Sequence, residues 1–307
     1  MPTLIVLNPG VGEIQSVDTA TGAATTLVAG TGEVPDGVVV DKPGGVFYWT
    51  NMGVPTGSAP GAALTDKAAS FAAANGSLER ASLDGSDRGT VLPVGSFVTG
   101  KQLVADFGAG KLYFSDREGL RVLRVSLDGS DLEVLVENGD HTAPEEQGDV
   151  LRHPVGIAVD PEGGHLYWTQ KGPSKGGAGR IFRAPLAVPE DPARRDDVET
   201  LWENLPEPID LYLDLGAGEI YWTDRGARPE GNTFNRAPIP AVGEKGAAPT
   251  ILASGFREAI GVDRDETTGN FYVTDLGGNI REINPAHGLD RLVATLPGGL
   301  TGVAVAD

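Results

Sequence analysis

The sequence predicts an all-β fold, a six-bladed β-propeller whose blades are four-stranded antiparallel sheets. The first observation is that an aspartate is followed seven residues later by a tyrosine, at Asp41/Tyr48, Asp106/Tyr113, Asp160/Tyr167, Asp214/Tyr221 and Asp265/Tyr272. Each tyrosine opens a β-rich tetrapeptide, of which Tyr167-Trp168-Thr169-Gln170 is one example. A motif that recurs every roughly 40–60 residues is the signature of a repeat architecture.

Each repeat unit contains the strands of one blade. Residues 153–160 form a short β-rich run, residues 161–164 a Gly-containing turn and residues 165–170 a second run, which together predict an antiparallel hairpin. A third run follows at residues 180–183, and the fourth is clearest at residues 132–136 of the preceding unit. The first two runs are apolar on both faces, as expected for strands packed between neighbouring sheets. Four-stranded sheets repeated radially form a β-propeller.

The two ends of the chain predict how the propeller closes. Residues 4–8 form an incomplete sixth motif, because no inner strand precedes them. Residues 300–305 match the inner-strand pattern of residues 155–159, so we expect residues 300–306 to supply the inner strand of the N-terminal blade. This closure removes the exposed sheet edges that an open array would carry. The whole chain, residues 1–307, is therefore predicted to be one propeller domain.

Several recurring side chains are expected to build the blades rather than to carry chemistry. Trp49, Trp168 and Trp222 repeat at one tetrapeptide position, so we expect them to pack between blades. Arginines recur in the third strands, at Arg80, Arg124, Arg183, Arg236 and Arg281. The polar side chains that end the tetrapeptides are expected to satisfy buried backbone donors, and they are Asn51, Asp116, Gln170, Asp224 and Asp275.

These motifs resemble the YWTD repeat of the low-density-lipoprotein-receptor family. The likeness extends over all six blades and is closest at residues 155–169 and at the Leu127-Asp128-Gly129-Ser130 turn. The resemblance implies a six-bladed propeller. The chain also resembles soluble microbial and fungal proteins with this repeat and, more remotely, the gluconolactonase and strictosidine-synthase families. A shared fold does not decide among their functions.

The composition restricts the class of partner. Lys and Arg number 24 against 43 Asp and Glu, and the resulting net charge of −19 makes nucleic acid or a membrane an unexpected partner. The chain contains no cysteine, which excludes thiol catalysis and Cys-type zinc sites. We find no segment typical of a signal peptide or a membrane span. We therefore expect a cytoplasmic protein, a monomer or weak homo-oligomer, that binds a small molecule.

The longest predicted loops lie at one end of the blades. Turns between first and second strands are short, whereas the connections at the opposite end carry insertions at residues 52–76, 138–152, 171–179 and 225–233. Long loops gathered on a rigid scaffold usually serve binding. The alternative is that these segments are tolerated insertions without a function.

Polar residues near the starts of the inner strands are the catalytic candidates. Glycine recurs four residues before the repeated aspartate, whereas Gln102 and Asp210 replace it in two blades. Asp36 stands one residue earlier in its own blade and is expected to face Asp210 across the central channel. Slightly further out lie His153, Glu207, Glu258 and Thr301. Carboxylates and an imidazole in a partly desolvated funnel suit acid/base chemistry, with Gln102 orienting the substrate. The alternative is that these groups line the channel and hold water.

Three cations predict a site for an anionic group. Arg117, Lys171 and Arg225 directly follow the tetrapeptides of three successive blades. Cations that converge in a strongly acidic protein suggest a site for a carboxylate or phosphate group. The predicted substrate-binding set is completed by Asn51, Lys101 and Asn235. The alternative is that the cations form salt bridges with neighbouring carboxylates.

A metal site is the other possibility that the resemblance raises. The gluconolactonase likeness implies a divalent cation held by channel carboxylates and amides, and residues 35–37 look like one element of that set. The asparagines expected at the other inner strands are absent. The sequence therefore predicts no metal ion and no cofactor.

Together these features predict a small-molecule enzyme with its active site at the loop-rich mouth of the propeller channel. We expect acid/base hydrolysis or elimination, by a lactonase-like hydrolase or a lyase, on a polar or anionic metabolite. The alternative is a non-catalytic propeller that binds a ligand or a protein. A deep polar pocket favours the enzyme, and a flat apolar face favours the binding module.

Overall fold

The computed structural model describes residues 1–31, 34–57 and 69–307, and in these residues 24 strands form six four-stranded antiparallel sheets. This result confirms the predicted fold class, a six-bladed β-propeller. Helix in the described residues is limited to α1 (Pro144–Gln147) and the 3₁₀ turns Val150–Arg152 and Pro285–His287. None of these helices has the length and apolar character needed to span a bilayer. Residues 58–68 of the predicted 52–76 loop lie outside the described residues.

The strands fall into two compact units, residues 1–101 with 256–307, and residues 102–255. The first unit begins with β1 (Thr3–Asn8), β2 (Glu13–Asp18), β3 (Ala24–Ala29), β4 (Pro35–Asp41), β5 (Val46–Asn51), β6 (Gly76–Ser82) and β7 (Gly89–Phe97). The strands of the second unit are β8 (Gly100–Asp106, whose first two residues belong to the first unit), β9 (Lys111–Asp116), β10 (Arg121–Ser126), β11 (Glu133–Glu137), β12 (Pro154–Asp160), β13 (His165–Gln170), β14 (Gly179–Pro185), β15 (Glu199–Leu205), β16 (Pro208–Asp214), β17 (Glu219–Asp224), β18 (Thr233–Pro238) and β19 (Thr250–Ser254). The first unit ends with β20 (Ala259–Asp265), β21 (Asn270–Asp275), β22 (Asn279–Asn284), β23 (Leu289–Thr295) and β24 (Val303–Val305).

The C-terminal strand completes the N-terminal sheet. β24 pairs antiparallel with β1, so that sheet has the order β24-β1-β2-β3, and the predicted closure is confirmed. The regular strand covers Val303–Val305 rather than residues 300–306. Thr301 N–H donates to the carbonyl of Leu7, and Gly302 C=O accepts from Leu7 N–H, both at 3.0 Å. Two residues that oppose one form a bulge, and this bulge ends the regular ladder.

The spacing between the repeated aspartate and tyrosine follows from the hairpin that joins the first two strands. Asp160 ends β12, and its Oδ1 accepts a hydrogen bond from Gly163 N–H at 2.8 Å, which caps the turn. Tyr167 is the third residue of β13 and lies opposite Ala158. The same capping bond is made by Asp41, Asp106 and Asp214. The seven-residue interval is therefore the length of one capped hairpin.

A tetrapeptide threonine ties neighbouring inner strands together within each unit. Thr169 Oγ1 accepts a hydrogen bond from Gly156 N–H and donates one to Ile209 C=O in the neighbouring sheet, both at 2.7 Å. A Cβ on Gly156 would lie 2.0 Å from the same carbonyl oxygen, so the inner strands approach at a glycine, as the sequence predicted. Thr50 makes the same pair of bonds in the first unit. Ser115 occupies this position in its own sheet, and its buried hydroxyl has no hydrogen-bond partner among the described residues.

Replacing this threonine tests whether the hydroxyl bridge stabilises the sheet contact. Thr169→Val keeps the side-chain shape but leaves Gly156 N–H and Ile209 C=O unpaired, so we expect a loss of about 1–3 kcal/mol in the free energy of unfolding. The measurement is urea denaturation. Ser115→Ala is the matched control, because it removes a hydroxyl that bonds to nothing described, and we expect a change below about 0.5 kcal/mol. Equal losses in both variants would contradict the bridge.

The tryptophans pack between sheets, as predicted. Trp222 lies in one apolar cluster with Tyr167 and Trp202 of the preceding sheet, and its ring is 5.5 Å from that of Trp202. The arginines of the third strands also contribute to the structure of the blades, through ion pairs. Arg183, for example, is buried and lies 2.6 Å from Glu199 on β15.

Candidate functional site

A buried carboxylate in the second unit is shared by two cations. We define the cation cluster as Arg117, Lys171 and Arg225, which directly follow β9, β13 and β17. Glu207 is fully buried just before β16, and its Oε1 lies 3.1 Å from Lys171 Nζ and 2.9 Å from Arg225 Nε. Its Oε2 accepts a hydrogen bond from Lys175 N–H at 2.9 Å. A single negative charge therefore serves two positive charges.

The backbone holds Glu207 against the end of β17. Glu207 N–H donates to both carboxylate oxygens of Asp224, at 3.0 and 3.1 Å, and Glu207 C=O accepts from Arg225 N–H at 3.0 Å. Glu207 precedes Pro208, which favours an extended backbone at the start of the inner strand. Asp224, the last tetrapeptide residue, thus satisfies a buried backbone donor as the sequence predicted.

The environment of Asp224 is strongly desolvated. Burial raises the pKa of Asp224 to about 6, and the charges of Glu207 and Glu230 add to the shift, whereas hydrogen bonds from Glu207 N–H and Gly226 N–H oppose it. The low polarity of this position strengthens every charge interaction nearby. Asp224 is therefore a structural carboxylate that holds Glu207 and Arg225 in register.

The surroundings of Lys171 disfavour its positive charge. Burial and the charge of Arg225 lower the pKa of Lys171, and Arg117 lowers it further. Glu207 acts in the opposite direction and raises it. Lys171 thus experiences the charges of both Arg225 and Arg117, and it shares a carboxylate with Arg225. An added anion would relieve the repulsion at Lys171.

His153 lies beside the same charges. It precedes β12 in the position equivalent to Glu207, and its Nε2 is 2.7 Å from Gln147 C=O. A carbonyl only accepts, so Nε2 carries the proton and Nδ1 is the ring atom that can accept one in the neutral imidazole. Burial lowers the pKa of His153, with Glu118 opposing and Arg117 and Lys171 adding to the shift. The imidazole is therefore neutral at pH 7.

Each cation of the cluster is paired with a carboxylate. Arg117 Nε donates to both carboxylate oxygens of Glu118, at 2.7 and 2.9 Å. The alternative of salt bridges with neighbouring carboxylates is thus confirmed for all three cations, which pair with Glu118 or Glu207. The cluster is still a local concentration of positive charge in a protein of net charge −19, and such a concentration attracts an anion.

Asp36 and Lys101 form a separate buried pair in the first unit. Lys101 Nζ lies 2.5 Å from Asp36 Oδ1 and 3.6 Å from Met52 Sδ, and both charged side chains are less than a tenth exposed. Asp36 Oδ2 is buried without a hydrogen-bond partner among the described residues. Lys101, which the sequence placed in the substrate-binding set, is thus the counterion of a predicted catalytic carboxylate.

The remaining catalytic candidates lie in both units. Gln102 and Asp210 are buried at the starts of β8 and β16 in the second unit, and Asp210 Oδ1 accepts from Leu211 N–H at 2.9 Å. Glu258 is half-buried before β20 in the first unit, with a backbone φ of 63°. The predicted opposition of Asp36 and Asp210 joins residues of different units and stays a prediction.

Two predicted ligand contacts are instead used inside the sheets. Asn51 is fully buried at the end of β5, where its amide donates to Ser77 Oγ at 2.9 Å and Glu79 Oε1 at 3.1 Å. Asn235 is buried in β18, where its amide donates to Thr233 Oγ1 at 2.9 Å and to Trp222 C=O at 3.4 Å. Both side chains satisfy groups of their own blade, which corrects their placement on a binding rim.

Sequence reasoning placed Glu207 near the inner-strand starts but assigned no role to it, although Lys171 and Arg225 both pair with it. The signal was present, because Glu207-Pro208 and His153-Pro154 are equivalent dipeptides at the starts of successive inner strands. No group of three or more His, Asp or Glu side chains in the described part of the chain is arranged to hold a metal ion.

The chain is similar to two fungal proteins. It is 42% identical over 287 residues to the Low-density lipoprotein receptor-related protein 1 of Pyricularia oryzae, across 91% of this chain and 87% of that one. It is 39% identical over 284 residues to the 3-hydroxyacyl-CoA dehydrogenase-like protein LAM1 of Cochliobolus heterostrophus, across 89% of this chain but only 56% of that one. No protein-family model matches the sequence.

Solved structures share the fold at low identity. A chain from the crystal structure of a nidogen/laminin complex has a TM-score of 0.71 and 19% identity, over 100% of this chain and 99% of that one. A putative 6-phosphogluconolactonase from Bacteroides uniformis has a TM-score of 0.55 and 12% identity, over 95% of this chain and 81% of that one. Identities this low show a common fold and nothing more.

Proposed function

The chain belongs to the YWTD-repeat family of low-density-lipoprotein-receptor-related propellers, and within that family we propose that it is a small-molecule enzyme. Its cation cluster binds the carboxylate or phosphate group of a metabolite, and His153 supplies acid/base catalysis for hydrolysis or elimination. The observation that carries this proposal is that Lys171 and Arg225 converge on one oxygen of the buried Glu207.

Anion binding follows from the repulsion among the cations. A carboxylate or phosphate that enters the cluster adds negative charge beside Lys171, whose own charge is disfavoured by Arg225 and Arg117. The guanidinium groups of Arg117 and Arg225 present several donors each, and these favour planar or tetrahedral oxyanions. The surrounding protein is acidic, so selection for an anion at this position depends on the local cations rather than on the net charge.

Proton transfer is the role that we propose for His153. Its neutral Nδ1 accepts a proton from water in hydrolysis, or from a carbon next to an electron-withdrawing group in elimination. The cation cluster stabilises the negative charge that develops on the substrate oxygen during either reaction. Asp36, Asp210, Glu258 and Gln102 remain candidates for further acid/base or orienting roles. The name of the putative 6-phosphogluconolactonase with this fold is compatible with hydrolysis of an anionic substrate.

Arg225→Gln tests the anion site. We expect this variant to bind the anions that stabilise the wild type at least about tenfold more weakly, since a hydrogen bond to a charged group contributes about 1.5–3 kcal/mol. The measurement is a thermal-shift screen of small carboxylates and phosphate esters, followed by titration of each ligand that raises the melting temperature.

Arg228→Gln is the matched control for this screen. Arg228 lies three residues away on the same loop and is exposed, so its replacement removes the same charge outside the cluster. We expect the ligand affinity of this variant to stay within about twofold of the wild type. Equal weakening in both variants would show non-specific attraction and overturn the site.

Protein binding is the second candidate function. It is supported by the receptor-related name of the Pyricularia relative and by the complex in which the nidogen/laminin chain was solved. A screen in which no small anion stabilises the protein would favour this candidate over the enzyme.

A further inference from the structure

We propose that Asp263 is a pH-dependent clasp on the closing strand β24, and that protonation of its carboxyl group favours the closed N-terminal sheet. Asp263 lies on β20, and both strands belong to the first unit. The inference goes beyond the proposed function, because it involves neither the cation cluster nor His153. It assigns the propeller a regulatory group at the point where its two chain ends meet.

Asp263 accepts a backbone hydrogen bond from the closing strand. Val305 N–H donates to Asp263 Oδ2 at 2.7 Å. The next residue, Ala306, donates its N–H to Thr3 C=O at 2.8 Å, and the N–H groups of successive strand residues point in opposite directions. Val305 N–H therefore lies on the free edge of β24, which is the terminal strand of its sheet. The Asp263 side chain supplies the acceptor that a neighbouring strand supplies inside a sheet.

Asp263 also occupies a position that is apolar in the other inner strands of its unit. It lies opposite Tyr272 of the tetrapeptide on β21. The equivalent residues are Val39 on β4 and Ala304 on β24. A charged carboxylate in a desolvated position is costly, whereas a neutral carboxyl group that keeps its hydrogen bond is tolerated. The repeat thus places an ionisable group where its charge is disfavoured.

The surroundings of Asp263 act on its charge in both directions. Burial raises the pKa of Asp263 to about 6, against hydrogen bonds from Val305 N–H and Arg264 N–H that lower it. Lys42, in the turn after β4, also lowers the pKa of Asp263, and Asp265, two residues along the same strand, raises it. The desolvated position and the neighbouring carboxylate therefore outweigh the donors and the lysine.

The other charged groups on the adjacent elements are engaged with partners of their own. Tyr272 donates its hydroxyl to Glu282 Oε1 at 2.9 Å. Arg264 lies 3.4 Å from Glu266. Asp307, which follows β24, accepts hydrogen bonds from the N–H and the hydroxyl of the first residue of β1. β24 itself consists of two valines and an alanine and carries no charge.

The direction of the pH effect follows from the shift. The pKa of Asp263 is raised from 3.8 to about 6, so the folded protein binds this proton more tightly than the unfolded chain does. The stabilisation is complete below about pH 4 and is lost as the pH rises through about 6. Release of β24 removes the Val305 N–H from Asp263 and admits water to the carboxylate. Acid therefore favours the closed sheet.

Asp263→Asn tests the clasp. The amide keeps an oxygen that accepts from Val305 N–H but cannot ionise. We expect this variant to melt about 2–4 °C above the wild type at pH 7, and within about 1 °C of it at pH 4.5. Asp87→Asn is the matched control, because Asp87 is exposed in the same unit and its replacement removes the same charge. We expect the control to differ from the wild type by the same amount at both pH values.

Hydrogen exchange locates the effect at the closing strand. The measured quantity is the protection factor of the Val305 amide, which corrects the exchange rate for its intrinsic dependence on pH. In the wild type we expect this factor to rise at least about fivefold between pH 7 and pH 5, and in Asp263→Asn to stay within about twofold. A wild-type protection factor that does not change with pH would overturn the inference.

Two further outcomes decide the matter. An Asp263→Asn protein that melts below the wild type by equal amounts at both pH values would show that the carboxylate acts only as an acceptor, and would overturn the clasp. Titration of the wild type by carboxyl carbon NMR needs no variant. A midpoint for Asp263 near pH 6 supports the inference, and a midpoint below about 4.5 overturns it. None of these measurements uses an anionic ligand, so their results are independent of the proposed function.

Discussion

A protein truncated by deletion of residues 300–307 is expected to lose most of its folding stability and to aggregate. Leu300, Val303 and Val305 are at most 4% exposed and lie in one apolar cluster with residues of β1, β21 and β22. At about 1.5–3 kcal/mol for each buried side chain, their removal costs roughly 5–9 kcal/mol, which is comparable to the total stability of about 5–15 kcal/mol of a typical domain. The deletion also exposes β1 as an apolar edge strand, and such edges pair with other chains.

The measurement is the melting temperature together with light scattering of the purified protein. Deletion of Asp307 alone is the matched control. Asp307 is exposed and receives hydrogen bonds from the N–H and hydroxyl of Thr3, so we expect a loss below about 1 kcal/mol. A truncated protein that stays monomeric and melts with the wild type would show that β24 does not close the N-terminal sheet.

Glu207→Gln is expected to destabilise the second unit and, at the same time, to strengthen anion binding. The neutral amide leaves Lys171 and Arg225 without their common counterion. Removal of one partner of a buried ion pair costs about 3–5 kcal/mol, and we expect about 3 kcal/mol because the two cation side chains are 14% and 23% exposed. For a chain of this size the melting temperature falls by roughly 6 °C. An added carboxylate ligand replaces the missing charge, so it should stabilise this variant more than it stabilises the wild type.

Thermal denaturation with and without pyruvate or phosphate measures both effects. Glu203→Gln is the matched control, because Glu203 is exposed on the neighbouring strand β15 and its loss should change stability by less than about 0.5 kcal/mol. A Glu207→Gln protein as stable as this control, or one with no added response to anions, would contradict the role of Glu207 as counterion.

Local chemistry made the fold predictable. The capped hairpin between Asp160 and Tyr167 involves residues close in sequence, so its spacing recurs wherever the same turn is built. Pairing of β24 with β1 was also predictable, because a missing inner strand at one end matched an unpaired motif at the other. The ends of β24 were not predictable, because the bulge at Gly302 depends on hydrogen bonds to Leu7 on the adjacent strand.

The residues of the candidate site could be predicted only where they occupy equivalent positions in the repeated motif. The cations of the cluster each follow the tetrapeptide of their own blade. Equivalent positions in successive sheets therefore predicted that Arg117, Lys171 and Arg225 lie near one another. Asn235 shows the limit of this reasoning. Its nearness to a long loop in sequence suggested a rim position, but it lies within β18, and its amide bonds to Trp222 on the adjacent strand.

The sequence by itself determined the architecture of this protein, because each turn cap, glycine and tetrapeptide acts on residues close to it in the chain and repeats at a fixed interval. Tertiary structure alone decided the electrostatics. Glu207 is 36 residues from Lys171, and only the packing of neighbouring inner strands makes one buried carboxylate oxygen the partner of two cations. Charge interactions act through space and depend on burial, so neither the counterion nor the disfavoured charge on Lys171 can be read from a linear pattern.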